Sequence, residues 1–336
     1  MSKRVKKVVC LGGGTGVSMI LSGLVDFPLE LSAVVTMFDD GGSSGRLAKD
    51  FRILPPGDIR QCLVATSKDK DFIKDFHFRF DIGPFKGHNW GNLLIVKAVK
   101  EERGNWNEAI RKLSKRLNIK AKIYPVTLNN AKITATLKNN KKIRGEENII
   151  NSRNVSGIGI KNISLSPGVR ANPKAISAIK NADVIIIGPG KFYTSVIPNL
   201  LVDGISEAIR RSKGKKIFIC NLMTQEGNTD SFKVEDFVKI IDKYLGRKVI
   251  DYIIFNTGKL KPELIKKVRK IFPKAEFVDY GNNLTKDKKF VGGNFLDNKI
   301  RQLDPADILV KDANQRTIVF HDSKKIAKVI YQLCRQ

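Results

Sequence analysis

The sequence lacks any apolar run that approaches the roughly 20 residues needed for a membrane-spanning helix. Its basic start, Lys3 to Lys7, is followed by only four apolar residues, Val8 to Leu11, before the first glycines. That run is too short for the core of a signal peptide. We therefore expect a chain without a membrane span that stays in the cytoplasm.

Cysteine and histidine are both scarce. The cysteines are Cys10, Cys62, Cys220 and Cys334, and no two of them form a CxxC pair. The histidines are His77, His88 and His321, whose spacing does not suggest a metal-binding cluster. A disulfide framework and a zinc site are thus disfavoured, and we expect the cysteines to be small buried residues in a reducing compartment.

Acidic residues are also few, with 33 Asp and Glu against 61 Lys and Arg, which gives a net charge of +28. Nucleic-acid binding is one interpretation of such a charge. The lysines are dispersed, however, as between Lys259 and Lys270, and no aromatic–basic platform accompanies them. We expect no specific nucleic-acid partner, although the positive field attracts phosphorylated ligands.

The apolar pattern predicts an α/β fold. Val5–Leu11 and Leu31–Phe38 are typical of buried parallel strands, and Gly16–Leu24 between them has helical spacing. Further strands and helices are predicted at Val184–Ile187, Ile217–Cys220 and Val249–Phe255, and at Leu93–Val99, Val234–Leu245 and Pro262–Ile271. This alternation predicts one Rossmann-like domain over residues 1–336, with a doubly wound, mostly parallel sheet.

Residues 123–167 interrupt this alternation. The segment is rich in Asn, Thr, Val and Ile, and Lys132–Leu137 alternates between apolar and polar residues before a turn at Lys138–Asn140. We interpret it as a β-rich excursion from the main sheet, either a lobe or a dimer element. A homodimer is therefore one expected assembly.

A glycine loop, Gly12-Gly13-Gly14-Thr15-Gly16, joins the first strand to the first helix. Such loops bring backbone amides and a helix N-terminus against phosphate oxygens, although close packing is an alternative reason for the glycines. Val17 replaces the third glycine of the dinucleotide fingerprint, and no Lys-Ser/Thr pair closes a Walker loop. We expect a side chain at Gly14 to block phosphate while the fold survives.

An acidic loop follows the second strand, at the sheet edge where ligands lie in doubly wound folds. Asp39 and Asp40 are candidate ligands for Mg²⁺ or for a ribose hydroxyl. Arg46 is a candidate phosphate clamp. The backbone amides expected to face the ligand belong to Gly41, Gly42, Ser43 and Ser44.

Two further motifs begin helices. Asp58 can cap a helix start with Gln61 completing a capping box, whereas Arg60 in the first turn indicates an anionic partner. In the stretch Gly87–Asn92, His88 is a candidate acid, base or ligand, or it merely bonds the loop backbone. Asn92 is a candidate binding residue at the start of the next helix.

A second candidate phosphate loop spans Gly188–Ser195, after the strand at Val184–Ile187. Its proposed contacts are Gly188, Gly190, Lys191, Thr194 and Ser195. Asn221, Thr224 and Gln225 leave the end of the next strand and are expected to line the same cleft.

Together these motifs resemble the gluconeogenesis factor family, which is CofD-like and related to 2-phospho-L-lactate transferase. The resemblance runs in order from about Val8 to the C-terminus. It implies a cytoplasmic, Rossmann-like protein that binds UDP-sugars such as UDP-N-acetylglucosamine or UDP-glucose. It also implies a role in cell shape and cell-wall precursor supply during gluconeogenic growth. The sequence departs from the family at Lys191, where a small residue is usual. It also has Phe320-His321-Asp322 where the family has Arg-His-Asp at a C-terminal sugar-nucleotide contact.

Other functions stay open from the residues alone. The related transferases move phospholactate from a guanosine diphosphate donor to a deazaflavin, with a metal held by acidic residues that match Asp39 and Asp40. A nicotinamide dehydrogenase is disfavoured by the glycine spacing and by the lack of a Tyr-x-x-x-Lys pair. No nucleophile–base pair is recognisable from spacing, which favours a binding protein over an enzyme.

Overall fold

The structure, a computed structural model, describes residues 4–155, 157–274, 276–281, 284–299, 309 and 318–336. Within them lie ten strands: β1 (Lys6–Gly12), β2 (Leu29–Val35), β3 (Lys122–Pro125), β4 (Lys132–Leu137), β5 (Lys142–Arg144), β6 (Ile160–Ser166), β7 (Val184–Ile187), β8 (Lys215–Ile219), β9 (Tyr252–Asn256) and β10 (Phe290–Gly293). The helices that carry the site are α1 (Gly14–Leu24), α2 (Gly42–Phe51), α3 (Gly57–Thr66), α4 (Lys70–His77), α5 (Trp90–Glu101), α6 (Trp106–Arg116) and α7 (Glu146–Ile150).

The remaining helices of the described residues are α8 (Ser152–Val155), α9 (Pro173–Lys180), α10 (Ile197–Leu200), α11 (Ile205–Arg211), α12 (Val234–Leu245), α13 (Pro262–Ile271) and α14 (Ser323–Arg335). A π-helical turn, Phe192–Val196, precedes α10, and a 3₁₀ turn spans Leu284–Lys286. No helix among the described residues is long and apolar enough to cross a bilayer.

Seven strands form one parallel sheet in the order β10-β9-β8-β7-β1-β2-β3. β1 lies in the middle of this sheet, and its residues Val8–Leu11 are buried. A continuous apolar run is typical of such a strand, because helices cover both faces of the sheet. The chain winds from β1 towards β2 and β3, and later from β7 towards β10. The strand order therefore reverses between β1 and β7, and this switch point is where doubly wound folds bind ligands.

This topology confirms the predicted Rossmann-like, mostly parallel fold. Val184–Ile187, Val234–Leu245 and Pro262–Ile271 form with the predicted bounds. β2 ends at Val35 and not at the predicted Phe38, because the chain already leaves the sheet there towards the acidic loop. All four cysteines are free and buried, as expected.

The β-rich excursion is a separate three-stranded antiparallel sheet in the order β5-β4-β6. β4 alternates between buried and partly exposed residues, and the turn at residues 138–140 leads into β5, as the sequence pattern predicts. The predicted start of the excursion at Ile123 is wrong. Residues 122–125 are β3, which pairs with β2 as an edge strand of the main sheet.

Candidate functional site

A cavity of about 440 Å³ lies at the carboxyl ends of the parallel strands, beside the switch point. Its volume is within the range of small-molecule sites in proteins. Loops from four strands, the helix α7 and the segment before α14 line it. Predicted site residues in the lining are Gly13, Gly14, Thr15, Gly16, Asp39, Gly41, Gly42, Ser43, Ser44, Arg60, Asn92, Gly190, Lys191, Ser195, Asn221, Thr224 and Gln225.

The glycines at the start of α1 have a packing role in addition to facing the cavity. A Cβ on Gly16 would lie 1.9 Å from the Pro189 carbonyl oxygen, so the two predicted phosphate loops are packed directly together. A Cβ on Gly14 would lie 2.5 Å from Cα of Asp58. The expectation that a side chain at Gly14 would leave the fold intact is therefore wrong, because it would force α1 and α3 apart.

The two acidic residues after β2 point to different places. Asp39 lines the cavity, and its carboxylate accepts a hydrogen bond of 3.0 Å from the Gly41 amide. Burial raises the pKa of Asp39, and the Lys191 ammonium partly opposes this. Asp40 was predicted to contact the ligand beside Asp39. Its carboxylate instead accepts a hydrogen bond of 2.9 Å from the Glu147 amide, in the first turn of α7. The Asp40 charge nevertheless contributes to raising the pKa of Asp39.

Asp58 does not cap α3. The helix begins at Gly57, and its N-cap residue is Pro56. The Asp58 carboxylate instead accepts a hydrogen bond from the Gly14 amide at the start of α1. Gln61, predicted to complete a capping box, accepts a hydrogen bond from the Thr15 hydroxyl at 2.8 Å. Burial, and then the nearby Asp39, raise the pKa of Asp58 to about 7.

Glu146 is a buried residue of the cavity that the sequence analysis did not single out. Its carboxylate accepts a hydrogen bond of 3.1 Å from the Thr194 hydroxyl and lies 3.6 Å from the Lys191 ammonium. Burial raises its pKa well above the ordinary range, although Lys191 opposes the shift. These contacts join α7 to the predicted phosphate loop after β7.

A hydrogen-bonded network supports the start of α2. The Ser43 hydroxyl contacts Nδ1 of His88 at 3.2 Å and accepts from Nδ2 of Asn92 at 3.3 Å. Asn92 in turn accepts from Nε of Arg60 at 3.0 Å. Burial, and then the Arg46 guanidinium, lower the pKa of His88, so the ring is neutral near pH 7. His88 is buried beside Ser43 and does not line the cavity. This placement suits a residue that positions the start of α2 better than one that acts as a general acid or base.

Five other predicted residues also lie outside the lining. Gly12 closes β1, and Gly188 follows β7 with a φ of +76°, which favours glycine. Thr194 is buried against Glu146, and Asp40 holds α7. Arg46 is exposed on α2, so its placement gives no support to the predicted phosphate clamp.

The segments after β8 and before α14 also contribute to the cavity lining. The Asn221 side chain donates from Nδ2 to the Gly190 carbonyl at 2.7 Å, which ties the segment after β8 to the loop after β7. The apolar walls of the cavity include Leu222, Met223, Phe272, Ile318 and Val319. Phe320 and His321 also line it, so the C-terminal segment that the family resemblance pointed to does reach the cavity.

The described residues contain no group of three or more His, Cys, Asp or Glu side chains arranged to hold a metal ion. Mg²⁺ is often bound by one or two carboxylates together with the phosphates of a ligand. Asp39 and Asp58 fit that kind of site, because both line the cavity and are close enough to influence each other's charge.

These features define a Rossmann-like α/β protein with a ligand cavity at its topological switch point. Residues 8–294 match the family model described as 2-phospho-L-lactate transferase CofD. A putative gluconeogenesis factor of Thermotoga maritima is 41% identical, over 98% of this chain and 99% of that protein. The gluconeogenesis factor of Bacillus subtilis is 34% identical over 98% of both chains. A crystal structure of a Bacillus halodurans protein of the UPF0052 family has a TM-score of 0.86 at 34% identity, covering 98% of this chain and 100% of that one.

The chain therefore belongs to the CofD-like gluconeogenesis factor family. This confirms the family expected from the motifs, and the UPF0052 structure has the same overall fold.

Proposed function

We propose that the cavity binds a UDP-sugar, such as UDP-N-acetylglucosamine or UDP-glucose. On this proposal the protein is a nucleotide-sugar-binding regulator that supports cell morphogenesis and cell-wall precursor supply during gluconeogenic growth. The main support is one cavity whose lining contains helix N-termini and glycine loops together with apolar side chains. Such a cavity suits a ligand that has a diphosphate in its middle. The names of the relatives, gluconeogenesis factors, support the link to gluconeogenic growth.

The proposal favours binding over catalysis. His88, the candidate acid or base, is hydrogen-bonded to Ser43 and does not line the cavity. The alternative is a transferase that moves phospholactate from a guanosine diphosphate donor to a deazaflavin. The description of the matching family model favours this alternative, and phosphoryl-type transfer can proceed largely by positioning.

Mg²⁺ is part of the proposal for an electrostatic reason. A diphosphate at the glycine loops would lie near Asp39 and Asp58, carboxyls whose ionisation Lys191 favours and burial opposes. A divalent cation held by Asp39 and the phosphates would neutralise this end of the cavity. We expect EDTA to weaken nucleotide binding and Asp39→Asn to remove the dependence on EDTA.

Calorimetry with purified protein tests the proposed ligand. We expect UDP-N-acetylglucosamine or UDP-glucose to bind at least tenfold tighter than GDP or NAD, a margin of about 1.4 kcal/mol. The UDP-sugar should be recovered unchanged after incubation. Tighter binding of GDP, or deazaflavin-dependent turnover that Asp39→Asn abolishes, would favour the transferase. The homodimer expected from the β-rich excursion stays a prediction that sedimentation velocity tests.

A further inference from the structure

Residues 78–90, which follow α4 and end on the first residue of α5, form a hairpin with an exposed apolar surface. Among the described residues, eight large hydrophobic side chains are exposed, and four of them lie in this aromatic hairpin: Phe78, Ile82, Phe85 and Trp90. The Phe80 ring contacts the rings of Phe78, Phe85 and Trp90, so the aromatic surface is continuous. A contiguous exposed apolar surface marks an interaction site, whereas single exposed apolar residues need no explanation.

Backbone hydrogen bonds hold the aromatic hairpin in one shape. The Phe80 amide donates to the His88 carbonyl at 3.0 Å, and the Gly87 amide donates to the Phe80 carbonyl at 2.7 Å. The Trp90 amide donates to the Phe78 carbonyl at 2.9 Å. Because these backbone groups are paired, the exposure of the aromatic rings is a property of the folded hairpin.

The tip of the aromatic hairpin projects from the protein. Residues 81–86 are all exposed, and Ile82 is 77% exposed. A Cβ on Gly83 would have no heavy atom within 4 Å. A stable protein interface needs a large complementary surface, which one projecting turn does not offer. A few projecting apolar side chains can, however, enter the interfacial layer of a lipid bilayer.

The charge of the protein suits an anionic surface. The aromatic hairpin carries Arg79 and Lys86 against one acidic residue, Asp81, and Arg46 on α2 is close enough to lower the pKa of His88. The whole chain has a net charge of +28. A second copy of the chain would be repelled by this charge, whereas a membrane surface with anionic lipids attracts it.

We propose that the aromatic hairpin docks the protein on anionic lipid membranes. Ile82 and Phe85 enter the boundary between headgroups and acyl chains, and Trp90 lies at the headgroups, where an aromatic ring with a polar N–H is favoured. Lys86 meets the lipid phosphates. Arg79 of the hairpin also lines the ligand cavity, so docking holds the cavity beside the bilayer surface. The inference does not depend on which ligand the cavity binds.

Flotation of the full chain with vesicles tests the proposal. Vesicles of phosphatidylcholine with about 30% phosphatidylglycerol are compared with vesicles of phosphatidylcholine alone. We expect binding to the anionic vesicles, and we expect it to fall about tenfold in Ile82→Ser and in Phe85→Ser, because each variant loses a large inserted side chain. Ile271→Ser is the matched control, since Ile271 is an exposed apolar residue of α13 outside the hairpin, and it should bind as the wild type does.

Tryptophan fluorescence reports where the protein meets the bilayer. The chain has two tryptophans, and Trp106 is buried, so Trp90 is the one that can enter the lipid. Its emission should move to shorter wavelength when anionic vesicles are added, and lipids with brominated acyl chains should quench it. Trp90→Phe should lose both signals and still float with the vesicles.

The outcomes are distinct from those that test the proposed function. Absence of vesicle binding, or binding that is unchanged in folded Ile82→Ser and Phe85→Ser, would overturn the inference, since the net charge alone would then account for any attraction. A dimer that dissociates in Phe85→Ser would assign the hairpin to contact between copies, and loss of single-stranded nucleic-acid binding with unchanged vesicle binding would assign it to nucleic acid. Either result would also overturn the inference. UDP-sugar affinity measured without vesicles should be the same in wild type and Phe85→Ser, so the proposed function is judged separately.

Discussion

Asp39, Asp58 and Glu146 bring three carboxyl groups to the cavity, where burial raises the pKa of each. Lys191 is the cation that opposes the shift in all three cases. Ionisation of one of these carboxyls makes ionisation of the next harder, so the titrations of the three residues are coupled. Near neutral pH the cavity can therefore take up or release protons when a nucleotide or a cation binds.

The stability of the ligand-free protein should depend on Asp58. Its pKa rises from about 4 in the unfolded chain to about 7 in the folded protein, so the folded state holds more protons over this range. Stability is consequently highest below pH 4 as far as this group is concerned, and it falls as the pH rises through 7. We expect Asp58→Asn, which keeps an acceptor for the Gly14 amide, to reduce the loss of stability between pH 5 and pH 8.

Thermal unfolding at pH 5, 6, 7 and 8 measures this effect. The difference between wild type and Asp58→Asn at pH 8 should be about 1 kcal/mol or more in favour of the variant, equivalent to roughly 2 °C. The effect is smaller than an isolated shift would give, because Asp39 and Glu146 still titrate in the variant. If stability depended on pH in the same way in both proteins, the raised pKa would not belong to Asp58.

Gly41 offers a cleaner test of the phosphate end than Gly14. Its φ is −98°, and the nearest heavy atom to a Cβ placed there is Oδ1 of Asp39 at 3.5 Å. Gly41→Val should therefore fold normally while its side chain reduces the space beside Asp39. We expect calorimetry to show at least a tenfold loss of UDP-sugar affinity, about 1.4 kcal/mol. Gly168→Val is the control, because no described heavy atom lies within 4 Å of a Cβ there. Equal affinities in the two variants would place the phosphates elsewhere.

At the scale of elements, α7 connects the small antiparallel sheet to the ligand cavity. Asp40 holds its first turn, and Glu146 contacts both Lys191 and Thr194. Glu147 and Ile150 contribute to the cavity lining. A helix of five residues has little stability of its own, so its position depends on these contacts.

Asp40→Ala should loosen α7. Removal of the acceptor for the Glu147 amide should increase hydrogen exchange in residues 146–150 and weaken nucleotide binding about threefold or more. Asp69→Ala is the matched control, because Asp69 caps α4 by accepting the Asp71 and Phe72 amides outside the cavity. Loss of a cap typically costs about 1 kcal/mol. Both variants should therefore lose stability, but only Asp40→Ala should lose affinity. Equal nucleotide affinities would show that α7 does not shape the site.

At the scale of the whole molecule, the charge of +28 is the dominant electrostatic feature. The lysines and arginines of α13 lie on a solvated helix with little buried surface. Residues 78–90 expose Phe78, Phe85 and Trp90, and the same segment carries Arg79 and Lys86. Phe80 joins these rings into one aromatic cluster.

Nucleic-acid binding should nevertheless be weak and non-specific. We expect dissociation constants above about 1 μM at physiological salt, with log K falling linearly as log salt concentration rises. Fluorescence anisotropy with single-stranded and duplex probes of several sequences measures both quantities. Sub-micromolar, sequence-selective binding at physiological salt would overturn this prediction, and its loss in Phe85→Ser would locate the interface at the aromatic cluster.

The strand–loop–helix units could be predicted from the sequence because their signals are local. Continuous apolar runs at Val184–Ile187 and helical spacing at Val234–Leu245 specify those elements within a few residues. Glycine loops after β1 and β7 follow from the same pattern. Since parallel strands align their carboxyl ends, the convergence of these loops on one cavity could also be inferred before any contact was known.

The directions of individual side chains were decided by tertiary contacts between distant residues. Asp40 and Asp39 are adjacent in sequence, yet Asp40 turns to an amide 107 residues away, and Asp58 turns to α1 instead of capping its own helix. Glu146 and His321 become site residues only because α7 and the segment before α14 fold over the sheet edge. The sequence by itself determined the sheet, its loops and the place where those loops converge on a cavity. The packing of separate elements determined which carboxylates and which histidine face that opening, because burial and hydrogen-bond partners are set by residues far apart in the chain.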